Sequence, residues 1–187
     1  MDRAGFVLAG GKSSRMGCNK ALLPFRGRTL VEHIINEISA VTHNVSLIGD
    51  PGLYINLGYP VIADVFPGCG PLSGIHAALR ASGAEWNLVV ACDMPAITAC
   101  FLGELMERAE RTGADAVLPA GPSGMPEPLC AAYRRRALAV IERALERDVR
   151  KVTEGLEGLQ IDLWRLPDSR HFHNLNTPEE WDSYSHA

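Results

Sequence analysis

The chain has 187 residues, 47% of them hydrophobic and 21% charged, and a formal net charge of −4. That length suits one domain with a sizeable core, the composition is that of a globular chain, and the acidic balance argues against a protein that grips nucleic acid through its phosphates. The five cysteines include no Cys-x-x-Cys pair, which points to free thiols in a reducing cytoplasm and away from a disulfide frame or a zinc site. No apolar run approaches a membrane span, and Met1-Asp2-Arg3 leads straight into a strand with no signal peptide apparent.

In chain order, Ala4 to Ala9 is a short apolar run, expected as a buried first strand. Leu8 to Lys20 follows as Leu-Ala-Gly-Gly-Lys-Ser-Ser-Arg-Met-Gly-Cys-Asn-Lys. Thr29 and Glu32 have the spacing of a capping box, and Leu30, Val31, Ile34, Ile35, Ile38 and Val41 then recur on one helical face. Asn44 to Ile48 reads as a second strand, closed by the turn signal Gly49-Asp50-Pro51-Gly52. Pro60 to Ala63 is a short third strand, and Pro71 to Ala81 a helix entered through proline. Leu88 to Ala91 is apolar throughout, as in a strand covered on both faces.

Thr98 opens the next helix, with Phe101, Leu102, Leu105, Met106 and Ala109 inward. Ala114 to Pro119 and Leu129 to Tyr133 are strands, Arg134 to Arg147 a helix, and Gln160 to Leu166 a late strand. Thr177, Pro178 and Glu180 set up a second capping box. This alternation predicts an α/β fold, a single domain over 1–187 with a mostly parallel sheet and helices on both faces. Ligands of such sheets sit at the carboxyl ends of the strands. The glycine-rich turn, Asp64 and Asp93 all fall there.

The turn after the first strand carries the chemistry. Glycine lets backbone N–H groups approach an anion closely, successive N–H groups form an anion cradle, and Lys12, Arg15 and Lys20 add cations for a polyphosphate. Two familiar phosphate loops do not match. Gly11-Lys12-Ser13 has the second half of a P-loop, but its first glycine would fall on Phe6. Gly68 and Gly70 begin a dinucleotide fingerprint, but its third glycine position holds Ser73.

The stretch instead resembles the signature of the MobA-like nucleotidyltransferases, Leu-Ala-Gly-Gly-x-Ser-x-Arg-Met-Gly-x-x-Lys, at every fixed position from Leu8 to Lys20. Within that family it is most similar to the molybdenum cofactor guanylyltransferases. The resemblance implies a Rossmann-like three-layer fold and nucleotide binding by Leu8, Ala9, Gly10, Gly11 and Lys20. It implies phosphate clamping by Arg15 and Lys20, and Mg²⁺ held by Asp93 in Cys92-Asp93-Met94-Pro95. Mg²⁺ favours one or two carboxylates together with phosphate oxygens.

Asp64 matches the family's guanine-contacting aspartate, and a carboxylate suits the N–H donors of guanine. Gly70, Pro71, Leu72 and Gly74 match its Gly-Pro-Leu-x-Gly segment, and Asn174 and Asn176 its Asn-x-Asn-Thr-Pro-Glu segment, both expected to face the acceptor. Pro128 to Ala131 is similar to a further acceptor-side segment. After the second strand the family often has a base-contacting asparagine. This chain has Ile48-Gly49-Asp50-Pro51 instead, leaving Asp50 or a backbone carbonyl for that role.

The expected reaction is transfer of GMP from GTP to the terminal phosphate of molybdopterin, free or molybdenum-loaded, with release of pyrophosphate. Transient contact with other cofactor-biosynthesis proteins or molybdoenzymes is expected on the same ground. The alternatives are a cytidylyl or sugar-phosphate nucleotidyltransferase and a non-catalytic nucleotide-binding module. Lys12 and Cys18 occupy variable positions of the motif and are read as bystanders. His171 and His173 are read as surface histidines, and Arg134-Arg135-Arg136 as a solvated helix start.

Overall fold

The computed structural model describes residues 2–10, 19–175 and 180. Strand β1 (Arg3–Leu8) is followed by the small hairpin β2 (Pro24–Phe25) and β3 (Arg28–Thr29), helix α1 (Leu30–Ser39) and strand β4 (Asn44–Ile48). The one-turn helix α2 (Pro51–Tyr54), β5 (Val61–Ile62), α3 (Pro71–Ala81), β6 (Trp86–Ala91) and α4 (Ala99–Arg111) come next. The chain ends its regular structure with β7 (Ala116–Ala120), β8 (Cys130–Arg134), α5 (Leu138–Glu146), α6 (Val152–Gly155) and β9 (Ile161–Arg165).

Seven strands form one sheet in the order β5-β4-β1-β6-β8-β7-β9. The pairs β5–β4, β4–β1, β1–β6 and β7–β9 are parallel, whereas β8 runs antiparallel to both β6 and β7. From β1 the chain passes outward to β4 and β5, then returns across β1 to β6. The order therefore reverses between β1 and β6, and a crevice opens at the carboxyl ends of strands at such a point.

Side chains alternate across the sheet with the two-residue period of a strand. Val7, Leu88, Val90, Cys130 and Ala132 join one core with α1 and α4 residues such as Ile34, Ile38, Leu102 and Leu105. Phe6, Leu8, Val89, Ala131 and Tyr133 join the other with α3 and α5 residues such as Ile75, Leu79 and Ile141. Helices thus cover both faces. The α1 entry is a complete capping box: Thr29 accepts from the Glu32 N–H, and the Glu32 carboxylate accepts from the Thr29 N–H at 2.8 Å.

Several elements depart from the sequence reading. Arg134 closes β8, and Arg135–Ala137 forms a 3₁₀ turn before α5 starts at Leu138, so the helix begins later than Arg134. The Gly49–Gly52 turn signal is the entry to α2, where Asp50 caps and Pro51 occupies the first turn. The capping box expected at Thr177, Pro178 and Glu180 lies outside the described residues, apart from Glu180 itself.

At Gly5 the end of α1 packs closely on β1. A Cβ there would overlap Ile38 Cγ2 and lie 2.8 Å from Thr42 Oγ1, and both residues are buried. Gly5→Ala should therefore cost about 1–3 kcal/mol by overpacking, read as a lower urea midpoint at unchanged slope.

Candidate active site

Four carboxyl-end turns meet on one edge of the sheet. Leu8, Ala9 and Gly10 leave β1, Asp50 follows β4, Asp64 follows β5, and Cys92 and Asp93 follow β6. The turns after β1 and β6 are held together by backbone bonds: Cys92 N–H donates to Leu8 O at 3.1 Å, while Ala9 N–H donates to Ile48 O at 2.9 Å.

Lys20 enters from the far side of the glycine-rich segment, at the start of a 3₁₀ turn, Lys20–Leu22, capped by Asn19. Its Nζ donates to Leu175 O at 2.9 Å, and the Leu175 N–H donates to Asp93 O at 3.0 Å. One residue of the C-terminal stretch therefore bridges the lysine and the aspartate. That stretch is anchored by aromatic stacking, with His171 on Phe101 at a centroid distance of 4.3 Å and Phe101 on Trp164 at 5.3 Å. The His171 Nδ1 lies 3.2 Å from Ala96 O. His171 is thus a packing residue.

Burial pushes the Asp93 carboxyl above the ordinary carboxylate range, and the Lys20 charge pulls the other way. Such a carboxylate favours a cation beside it. Among the described residues no group of three or more His, Cys, Asp or Glu could cage a metal. A lone half-buried carboxylate fits an ion that takes most of its other ligands from phosphates and water. Glu127, just before β8, lies close enough for the Asp93 charge to raise it further, although burial is the larger cause. The sequence reading did not single out Glu127. Its place was hidden because β8 enters the sheet antiparallel, so the start of β8 lies on the same edge as the ends of its neighbours; Ala91 N–H donates to Leu129 O at 2.7 Å. Burial pushes the neighbouring Cys92 thiol up to about 12, so it stays protonated and is no nucleophile.

Two of the predicted ligand residues have a buried oxygen with no hydrogen-bond partner among the described residues, Oδ1 of Asp64 and Oδ1 of Asn174. Buried polar atoms are nearly always satisfied, so such oxygens mark places where a ligand group or water belongs. Burial raises the Asp64 pKa, against opposing pulls from Ser73 and His76.

The other predicted residues divide by burial. Gly70 has φ +72° and precedes Pro71 at the α3 entry. Leu72 is fully buried against α6, where a Cβ on Gly155 would overlap it. A Cβ on Gly74 would sit 3.0 Å from the Leu8 side chain. Leu72 and Gly74 thus set how α3 seats on the sheet, and the exposed Gly70 and Pro71 form the rim. The Asp50 carboxylate is occupied by the Gly52 N–H at 2.8 Å as the α2 cap. Gly11, Lys12, Arg15, Cys18 and Asn176 lie outside the described residues.

The arrangement pairs a cation and a half-buried carboxylate at a sheet switch point, which suits a polyphosphate carrying a divalent metal. Comparison with known proteins gives the same direction. A family model described as the MobA-like NTP transferase domain matches residues 5–161. A relative from Flavobacterium johnsoniae, named probable molybdenum cofactor guanylyltransferase, is 34% identical, covering 94% of this chain and 92% of its own. One from Desulfosudis oleivorans, named molybdenum cofactor guanylyltransferase, is 35% identical, covering 94% and 91%. The crystal structure of molybdopterin-guanine dinucleotide biosynthesis protein A from Archaeoglobus fulgidus superposes with a TM-score of 0.82 at 29% identity, covering 98% of this chain and 97% of its own.

Proposed function

The chain belongs to the MobA-like NTP transferase family, and from that premise we propose that it transfers GMP from GTP to the terminal phosphate of molybdopterin or its molybdenum-loaded form. The observation that carries this reading is the bridge from Lys20 Nζ through Leu175 to Asp93 at the mouth of the β1–β6 switch point. It ties the Lys20 ammonium to the backbone of Asp93, and so holds a cation suited to a triphosphate beside a residue whose carboxylate suits a metal, at the place where such sheets bind nucleotides.

In this reaction an oxygen of the acceptor phosphate attacks the α-phosphorus of GTP. A new P–O–P linkage forms, the bond from the α-phosphorus to the α,β-bridging oxygen breaks, and its electron pair leaves with pyrophosphate. Such transfers need positioning and charge stabilisation more than covalent chemistry from the protein. Lys20 neutralises the triphosphate. The glycine-rich backbone from Leu8 to Gly11 cradles it, with Arg15 as a further clamp. Asp64 receives the N–H donors of guanine, and Asp50 or the backbone beside it flanks the base. Asn174, Asn176 and the Gly70–Pro71 rim face the acceptor, with Leu72 and Gly74 supporting that rim.

Asp93 would hold Mg²⁺ together with phosphate oxygens, and such an ion supplies neutralisation of the charge that develops on the leaving pyrophosphate. The whole chain, 1–187, acts as one transferase domain in this reading. Its free thiols, Cys69, Cys92, Cys100 and Cys130 among the described residues, favour a cytoplasmic setting. No helix among the described residues is long and apolar enough to cross a membrane.

The test is a panel of GTP, ATP, CTP and UTP with Mg²⁺. GTP should raise the melting temperature most, and GTP with molybdopterin should release pyrophosphate. A preference for CTP or UTP would reassign the chain to the cytidylyl or sugar-phosphate transferases. Nucleotide binding without pyrophosphate release would leave only a binding module.

A further inference from the structure

We propose that Tyr54 is a positioning residue for the nucleotide-binding turn, its hydroxyl tying the two ends of that segment together; the inference rests on reading the segment as the triphosphate site. Tyr54 closes α2, the short helix that Asp50 caps, and is 1% exposed. Its hydroxyl donates to Ala9 O at 2.6 Å, where the chain leaves β1. The same oxygen accepts from Asn19 Nδ2 at 2.9 Å, directly before Lys20. A phenol has one proton, so the short Ala9 bond takes it and the Asn19 amide supplies the other contact. Asn19 in turn accepts from the Ala21 N–H at 3.1 Å, which caps the turn carrying Lys20.

A core position needs only the ring. The ring does pack closely: a Cβ on Gly49 would lie 3.0 Å from Tyr54 Cε2, and Gly49 itself abuts the Ala9–Gly10 backbone. Phenylalanine would serve that purpose. The hydroxyl does something else, joining Ala9 and Asn19, residues 45 and 35 positions away in sequence. Fixing Ala9 and Asn19 before the ligand arrives removes ordering cost from binding. Burial raises the Tyr54 pKa, which keeps the proton in place for the Ala9 bond.

The experiment compares the full-length wild type with Tyr54→Phe, Asn19→Ala and the double variant. GTP affinity in Mg²⁺ is read by calorimetry, the unliganded melting temperature by scanning, and Ala21 amide exchange without nucleotide by NMR. Tyr54→Phe should weaken GTP binding about tenfold and speed Ala21 exchange. The double variant should be within about twofold of the weaker single one, because both act through one network. A fall in melting temperature with GTP affinity and Ala21 exchange unchanged would reduce the hydroxyl to a core hydrogen bond and overturn the proposal. Fully additive losses would overturn it as well. If the wild type bound no GTP, the nucleotide reading would fall, and the Ala21 exchange rate alone would decide whether the tether exists.

Discussion

Asp93→Ala should lower the rate of GMP transfer by at least about 10³-fold, a little beyond the usual loss for one stabilising group at a developing charge. The expectation follows from the isolation of this carboxylate. Burial works against its charge and the Lys20 charge supports it, and a metal cation beside it would favour the ionised form further. No cluster of ligands among the described residues could take over its task, and Glu127 is itself pushed toward the neutral form by burial and by Asp93. The fold should survive. The bond that Asp93 makes to Leu175 uses its backbone carbonyl, which the substitution leaves in place. Steady-state pyrophosphate release gives the rate and calorimetric melting the fold. Activity within tenfold of wild type, with Asp93→Asn also active, would remove the metal assignment.

Lys20→Ala should reduce kcat/KM by about 10²–10³-fold and weaken GTP binding with it. The ammonium is a point charge at the end of a flexible stem, with Leu175 O among its partners. A triphosphate offers that charge far better partners than a carbonyl. Lys20→Arg should recover only part of the loss, because a planar fork does not reproduce a compact ammonium. The KM for GTP, the KM for the acceptor and the nucleotide-induced shift in melting temperature separate the possibilities. Loss of acceptor affinity with GTP binding intact would move Lys20 to the other substrate.

Much of this architecture could be read from residue pattern because the local and global signals agree. The α3 boundaries follow from Pro71 and the apolar face after it. Thr98 caps α4 as its side chain and position require, and Asn44–Ile48 is a strand over its full expected length. The pairing direction of β8 was not legible. Cys130-Ala131-Ala132-Tyr133 is buried on both faces in an antiparallel setting, and apolar content reports burial, not direction. The β2–β3 hairpin was missed as well, since its turn places Arg26 at φ +47° beside Gly27 at +80°, and arginine is no usual signal for that conformation.

The site divides in the same way. Asp93 and Lys20 could be placed because a strand end and a glycine-rich turn have fixed positions in such a sheet. Tyr54 could not, because Asp50-Pro51-Gly52 has the composition of a turn and gave no hint that a helix would carry a phenol back to Ala9. The Asp50 carboxylate carries a second task that the sequence reading did not assign to it. A residue singled out for a ligand also gives one oxygen to a helix cap, since aspartate before proline suits either task.

The contact between Lys20 and Leu175 spans 155 residues, so the mouth of the site is closed by segments far apart in sequence. Strand β9 ends at Arg165, and every rung of the sheet can therefore pair without the stretch that carries Leu175. Detachment of that stretch alone would uncouple Lys20 from Asp93 while the sheet stayed paired, so the site can be lost at a smaller cost than the fold.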